Sequence, residues 1–137
     1  MGLILDTNVL IDGERQGTSI GFLLGRLQAQ FPSEPLAISC LSLLELAQGV
    51  ERAKSSESRL LRLMFIQEVR ESLRTLPLTA DICFAAGRLS GELTRHGNTV
   101  GIVDLMIGST ALALECAVLT RNVRDFNRIP GLQVIEY

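Results

Sequence analysis

Leu3-Ile4-Leu5-Asp6-Thr7-Asn8 is the stretch on which the reading of this chain turns. Three consecutive aliphatic residues that break into an acid, a hydroxyl and an amide predict a strand buried on both faces. A strand covered by helices on either side has no need to alternate apolar with polar residues. The acid then stands at the strand's carboxyl end, the edge of an open α/β sheet where ligands bind. The same residues also have a purely structural use, since Asp6 or Asn8 can cap the helix that follows.

Outward from this stretch the pattern recurs. Pro35-Leu36-Ala37-Ile38-Ser39, Cys116-Ala117-Val118-Leu119-Thr120 and Leu132-Gln133-Val134-Ile135 read as further buried strands. Thr75 to Leu78 is a connector or a strand, which Pro77 confines to a sheet edge. Val9 to Asp12 makes a short helical turn before Gly13. Longer helices are predicted from Ser19 to about Gln30, from Ser39 to about Ala53, from Ser55 to about Leu73, from Thr79 to about Arg95, and onward from Ile102. Their expected core faces are Phe22, Leu23 and Leu27; Leu43, Leu46, Ala47 and Val50; Leu61, Met64, Phe65, Val69 and Leu73; and Ile82, Ala85, Ala86, Leu89 and Leu93. Strands alternating with helices at this spacing predict an α/β fold of three layers, α/β/α, around a central, mostly parallel sheet of four to five strands. The 137 residues are expected to make one domain, residues 1–137.

Composition narrows the class. The chain is 47% apolar and 20% charged, with no low-complexity tract and no internal repeat, as in an ordinary globular protein. No apolar run approaches the ~18 residues that would span a bilayer, and no basic leader precedes the first strand, so a soluble, cytoplasmic protein is expected. Cys40, Cys83 and Cys116 are odd in number and widely spaced in apolar surroundings, and are read as reduced core thiols. Net charge is -2, with 12 Arg and a single Lys, Lys54. An acidic balance excludes a protein that coats nucleic acid through a broad basic surface. His96, where a helix ends before Gly97, is expected to interact with the helix terminus and not to serve as a ligand or base.

Four acids stand out by position. Asp6 follows the first strand, Glu45 lies in the helix after the second, Asp104 opens a helix, and Asp125 follows a later strand. Each also has an ordinary role, Glu45 as a solvated surface group and Asp104 as a helix-dipole partner. In a right-handed doubly wound sheet, however, these elements present their relevant ends to one edge. Carboxylates converging there would repel unless a cation held them. Oxygen donors without His or Cys suit Mg²⁺ or Mn²⁺, which retain water and bind phosphate oxygens. Hydrolysis of a phosphate ester is the chemistry that follows.

At these residues the chain resembles a known family. Leu3-Ile4-Leu5-Asp6-Thr7-Asn8-Val9-Leu10, Ser42-Leu43-Leu44-Glu45-Leu46-Ala47-Gln48-Gly49-Val50, Val103-Asp104-Leu105-Met106-Ile107-Gly108 and Leu119-Thr120-Arg121-Asn122-Val123-Arg124-Asp125-Phe126 are similar, in order and spacing, to the motifs of PIN-domain ribonucleases. In particular they resemble the VapC-type toxins of toxin-antitoxin pairs, and the likeness continues through Ile129-Pro130-Gly131-Leu132.

The resemblance implies a Mg²⁺-dependent endoribonuclease, with Mn²⁺ able to substitute. Asp6 and Asp104 match the principal metal ligands, and Glu45 matches the acid that completes the site directly or through water. The last acid falls between Thr120 and Phe126. Many relatives carry Asp where Asn122 stands and others use the position of Asp125, and Asp125 is taken as the fourth acid. Thr7 and Asn8 match polar residues that orient the first acid, while Thr120 and Asn122 resemble hydrogen-bonding supports. RNA would be gripped through the metal and a few arginines, with Arg52 and Arg121, and also Arg88 and Arg95, as candidates. The likeness further implies a VapB-like antitoxin whose tail covers the acidic cleft, and a homodimer, with higher-order assembly with the antitoxin left open.

Three readings compete with the nuclease. Receiver domains and haloacid-dehalogenase-like phosphatases also gather acids and Mg²⁺ at a parallel sheet edge, but both need a Lys at a strand end, and Lys54 lies in a polar helix-to-helix connection. Such phosphatases also want an acid two residues after the first, where this chain has Asn8. A non-catalytic PIN-like binding or signalling module with an acidic Mg²⁺ pocket is the remaining alternative.

Overall fold

The computed structural model describes all of residues 1–137. Five strands form one sheet: β1 (Leu3–Leu5), β2 (Leu36–Ser39), β3 (Arg74–Leu76), β4 (Ala117–Thr120) and β5 (Val134–Glu136). Their order is β3-β2-β1-β4-β5, and every pairing is parallel. The chain winds from β1 outward through β2 to β3, then returns to β4 on the opposite side of β1. The reversal of direction therefore falls between β1 and β4, where the crossovers diverge and leave a crevice at the strands' carboxyl ends. Asp6 and Thr120 are the residues that open onto it.

Seven helices cover the sheet: α1 (Thr7–Arg15), α2 (Ile20–Gln30), α3 (Cys40–Glu51), α4 (Ser56–Ser72), α5 (Ala80–Arg95), α6 (Ile102–Ala113) and the single turn α7 (Val123–Phe126). The strands' side chains alternate between two cores. Leu3, Leu5, Ala117 and Leu119 point to one, with Leu10, Leu23, Leu27, Phe65 and Val69 from α1, α2 and α4. Ile4 and Val118 point to the other, with Ala86, Leu93, Leu105, Ile107 and Phe126 from α5, α6 and α7. Burial on both faces is why β1 reads as an unbroken apolar run, and Leu3, Ile4 and Leu5 are all at most 1% exposed. None of the helices is long and apolar enough to cross a membrane.

Several expected details are corrected. The turn expected over Val9 to Asp12 is a helix of nine residues that runs through Gly13. Gly13 is not a break but a point of close approach, since a Cβ there would stand 3.2 Å from Leu23 Cδ2. The final strand starts at Val134 and not Leu132, whose N–H closes a turn onto the Ile129 carbonyl at 3.3 Å. The buried stripe of α4 is Phe65 and Val69, continued by Leu73 at its C-cap, while Leu61 and Met64 are exposed. Phe22, Ala47 and Ala85 also face outward, and Leu43 and Leu89 are half-buried. Helices apolar on more than one side do not fix their own rotational phase. The three cysteines are free, but they are not core thiols: Cys83 is exposed, and Cys40 and Cys116 are half-buried. Cys83 follows the buried Ile82 by one step of ~100°, which carries it off the buried stripe. His96 behaves as expected, with Nδ1 2.8 Å from the Glu92 carbonyl at the end of α5.

Candidate active site

Each acid is placed by the element that carries it. Asp6 is the first residue after β1 and the N-cap of α1, and is only 4% exposed. Its Oδ1 accepts the Thr7 N–H at 2.8 Å and its Oδ2 accepts the Thr120 hydroxyl at 2.6 Å. β1 and β4 are adjacent, so a hydroxyl 114 residues away arrives beside the acid by parallel pairing alone. Thr120 also accepts the Asn122 backbone N–H at 2.8 Å, and Asn8 Nδ2 approaches it at 3.5 Å. Asn8 Oδ1 in turn accepts the Arg121 N–H at 3.3 Å.

Glu45 arrives from the second turn of α3. Thr7 Oγ1 lies 2.6 Å from Glu45 Oε1 and 2.9 Å from Ser42 Oγ. Ser42 is fully buried and stands three residues before Glu45, on the same side of the helix. The three residues make a buried hydroxyl relay that fixes one carboxylate oxygen. Ser42 is a site residue that sequence reasoning missed, and its only signal is a hydroxyl inside an otherwise apolar helical turn.

Asp104 and Asp125 are joined by one amide. Asn122 Nδ2 donates to Asp104 Oδ2 at 2.9 Å and to Asp125 Oδ2 at 3.0 Å. Both acids lie in the first turn of a helix, α6 and α7 respectively, where the N-terminal dipole favours negative charge. Asp125 also faces Arg128, whose Nη1 is 3.5 Å from Oδ1 and donates to the Thr99 carbonyl at 2.7 Å. Arg128, also not anticipated, thus ties α7 to the loop before α6.

Asp104 is the acid that feels the other three. Burial pushes the Asp104 carboxyl up from 3.8 to about 6, and the charges of Asp6, Glu45 and Asp125 add to the rise while the Asn122 hydrogen bond opposes it. The helix-dipole role expected for Asp104 is therefore outweighed by desolvation and like charge. Burial also raises Asp6, against the hydrogen bonds from Thr120, Thr7 and Asn8.

No three His, Cys, Asp or Glu side chains are grouped so as to hold a metal ion unaided. A cation held here would therefore take one or two of the carboxylates and keep several waters. The oxygen-only donor set and the mutual repulsion felt at Asp104 both fit Mg²⁺ or Mn²⁺.

The arginines separate into three groups. Arg121 sits at the rim but is engaged elsewhere. Its Nε lies 2.7 Å from Asp12 Oδ2, an ion pair without hydrogen-bond alignment, and its guanidinium stands 5.7 Å from the centre of the Tyr137 ring. Arg88 and Arg95 are exposed on α5 and make no polar contact with the acids. Arg52 lines a cavity that Glu45 also lines. Three of the four arginine candidates are thus separated from the site or otherwise paired.

Comparison with known proteins gives the family to which this fold belongs. Residues 3–132 match the PIN domain. Ribonuclease VapC1 of Rickettsia felis is 34% identical over 135 residues, covering 98% of this chain and 96% of that protein. The tRNA(fMet)-specific endonuclease VapC of Salmonella typhimurium is 30% identical over 102 residues, covering 74% of this chain and 75% of that protein. Among solved structures, VapBC2 from Rickettsia felis bound to a DNA fragment from its promoter aligns with a TM-score of 0.81 at 28% identity, over 100% of this chain and 99% of the other. The chain belongs to the PIN-domain family. Within it, the near-full-length relatives are VapC ribonucleases, and solved VapBC structures are similar to this chain in fold over its whole length.

Proposed function

We propose that this chain is a Mg²⁺-dependent endoribonuclease, with Mn²⁺ able to substitute, and that it is the toxin of a toxin-antitoxin pair. The observation that carries the proposal is the hydrogen-bond chain that draws Asp6, Glu45, Asp104 and Asp125 to one sheet edge: Glu45 meets Thr7 beside Asp6, Thr120 joins Asp6 to the Asn122 N–H, and the Asn122 amide meets both Asp104 and Asp125. A cluster of like charges that is half-buried, with Asp6 fully so, is unfavourable for folding, and a cation is the simplest partner that offsets it.

In this reading Asp6 and Asp104 hold the cation, and Glu45 and Asp125 reach it directly or through water. When bound there, the ion supplies a Lewis acid that polarises a phosphodiester and acidifies water. The protein's own residues do the positioning. Thr120 and the Thr7 N–H fix both oxygens of Asp6, the Ser42–Thr7 relay fixes one oxygen of Glu45, and the Asn122 amide spaces Asp104 from Asp125. Preorganised acids of this kind need no rearrangement as charge develops at phosphorus. Cleavage adds water across a P–O bond in line, and no side-chain nucleophile takes part.

The partner proposal is a VapB-like antitoxin, together with self-association into a homodimer, in the cytoplasm. It is supported by the VapBC complexes among the structural neighbours and by an apolar surface on α4. Leu60, Leu61, Leu63 and Met64 are each at least 46% exposed, with Leu44 of α3 at 47%. A monomer rarely leaves such a group uncovered.

The test is purified protein with pooled RNAs and Mg²⁺, against the same mixture with EDTA and against Asp6→Asn. Cleavage that needs the metal and is lost in the variant is expected. Cleavage unaffected by EDTA or by the substitution defeats the nuclease proposal, and RNA binding without cleavage moves the chain to the non-catalytic alternative.

A further inference from the structure

A second polar cavity opens beside the acidic crevice, and Glu45 belongs to both. It measures about 320 Å³ and lies between α1, α3 and α4, lined on its polar side by Glu14, Arg15, Glu45, Arg52 and Arg62. Three guanidiniums therefore face two carboxylates, and one of those carboxylates is turned to the crevice acids through Thr7. Arg62 and Arg15 act on Glu14, while Arg52 lines the cavity from the end of α3. Arg52, the C-cap of α3, follows Glu45 by seven residues, two turns along nearly the same side, which places them about 10 Å apart along the helix axis.

Arg62 is the built part of the site. Its guanidinium, half-buried, donates Nη1 to the Gly49 carbonyl, which locks α4 onto α3 and leaves further N–H groups for the cavity. Glu14 is held above the ordinary carboxylate range by burial, while Arg62 and Arg15 act in the opposite direction. Gly49 itself faces open space, with nothing within 4 Å of the position a Cβ would take. Glycine inside a helix is less favourable than alanine, and here it keeps the cavity wall free of a side chain.

We propose that this cavity is an RNA subsite, in which Arg15, Arg52 and Arg62 take a backbone phosphate one to three nucleotides from the one cleaved. The proposal rests on the nuclease reading and deepens it. A polyanion laid from the cation-holding acids toward Arg52 meets repulsion compensated by metal at one end and guanidinium at the other. The axial separation of Glu45 from Arg52 corresponds to about three steps at the ~3.4 Å rise of a stacked strand, and to fewer in an extended one. Guanidinium is the side chain whose geometry matches phosphate in two hydrogen bonds at once. Arg121, held by Asp12 and Tyr137, is not part of this grip.

The experiment measures binding of short single-stranded RNAs to Asp6→Asn protein, which keeps cleavage out of the readout, across a salt series. Arg15→Ala and Arg52→Ala are expected to weaken binding about three- to tenfold each. Each should flatten the salt dependence by about 0.7 in slope for every phosphate no longer neutralised. Arg62→Ala removes a structural link as well, so Gly49→Leu serves beside it: it improves helix propensity and blocks the cavity without touching a charge. Arg70→Ala, on the exposed side of α4, is the control and leaves affinity and slope unchanged. Unaltered RNA affinity in Arg15→Ala, Arg52→Ala and Gly49→Leu overturns the subsite, and if those changes weaken VapB-like antitoxin binding instead, the cavity is a protein-docking site. Because the readout is binding, a wild-type protein that cleaves no RNA defeats the nuclease proposal separately.

Discussion

Replacing Asp104 with Asn should make the metal-free protein more stable while abolishing its proposed activity. The carboxyl is raised from 3.8 to about 6 by burial and by Asp6, Glu45 and Asp125. At ~1.36 kcal/mol per pKa unit, a rise of about 2.2 corresponds to about 3 kcal/mol. Asp104 retains some solvent contact, so screening reduces this to about 1–2 kcal/mol. The direction follows from proton linkage. Below about pH 3.8 both folded and unfolded chains hold the proton and Asp104 costs nothing. Between 3.8 and about 6 the unfolded chain releases it first, so stability falls as pH rises, and above about 6 the full cost remains. The neutral amide of Asp104→Asn carries no such penalty, and its oxygen can still accept from Asn122. Urea unfolding in EDTA at pH 4, 5, 6, 7 and 8 should therefore give a difference near zero at pH 4 that grows to about 1–2 kcal/mol in favour of the variant at pH 8. Adding Mg²⁺ should raise the wild type more than the variant, because binding to the native state alone stabilises it by mass action. A difference independent of pH, or a variant less stable at pH 8, would refute the claim that burial and the neighbouring acids disfavour the Asp104 carboxylate in the folded chain.

Three further outcomes are expected. Asp6→Asn should lose RNA cleavage yet unfold within about 1 kcal/mol of the wild type, since the amide oxygen can still accept the Thr7 N–H, whereas Asp6→Ala should cost about 1–2 kcal/mol more through loss of the cap; circular dichroism melts check both. Thr120→Val leaves Asp6 Oδ2 without its donor and the Asn122 N–H without its acceptor, and should cost about 1–3 kcal/mol and weaken Mg²⁺ binding by titration calorimetry. Gly108→Ala brings a Cβ to 2.5 Å from Ile129 Cδ1 in the α6–α7 packing, and should destabilise by about 1 kcal/mol. In an Ile129→Val background, which lacks that atom, the same change should be neutral or stabilising through helix propensity, so a double-mutant cycle shows coupling.

Much of this protein was determined by its sequence alone. Leu3-Ile4-Leu5-Asp6 points to a strand buried on both faces with an acid at its end, because the apolar run is short for a buried helix and breaks at once into polar residues. Four such segments, with Glu45, Asp104 and Asp125, carry the family likeness on residues close together in the chain. Three things were decided only by tertiary structure. The rotational phase of α4, which exposes Leu61 and Met64, depends on which side meets the sheet, and an apolar helix does not encode that. Ser42, Arg62 and Arg128 owe their places to partners across helix packings, which no local spacing reveals. The division of labour among the arginines was likewise settled by folding. Arg121 and Arg52 look alike in sequence, but β4 delivers one to Asp12 and Tyr137 while the end of α3 leaves the other lining the cavity beside Glu45. A long charged side chain takes whatever neighbours the fold puts within its reach, and those neighbours come from distant parts of the chain.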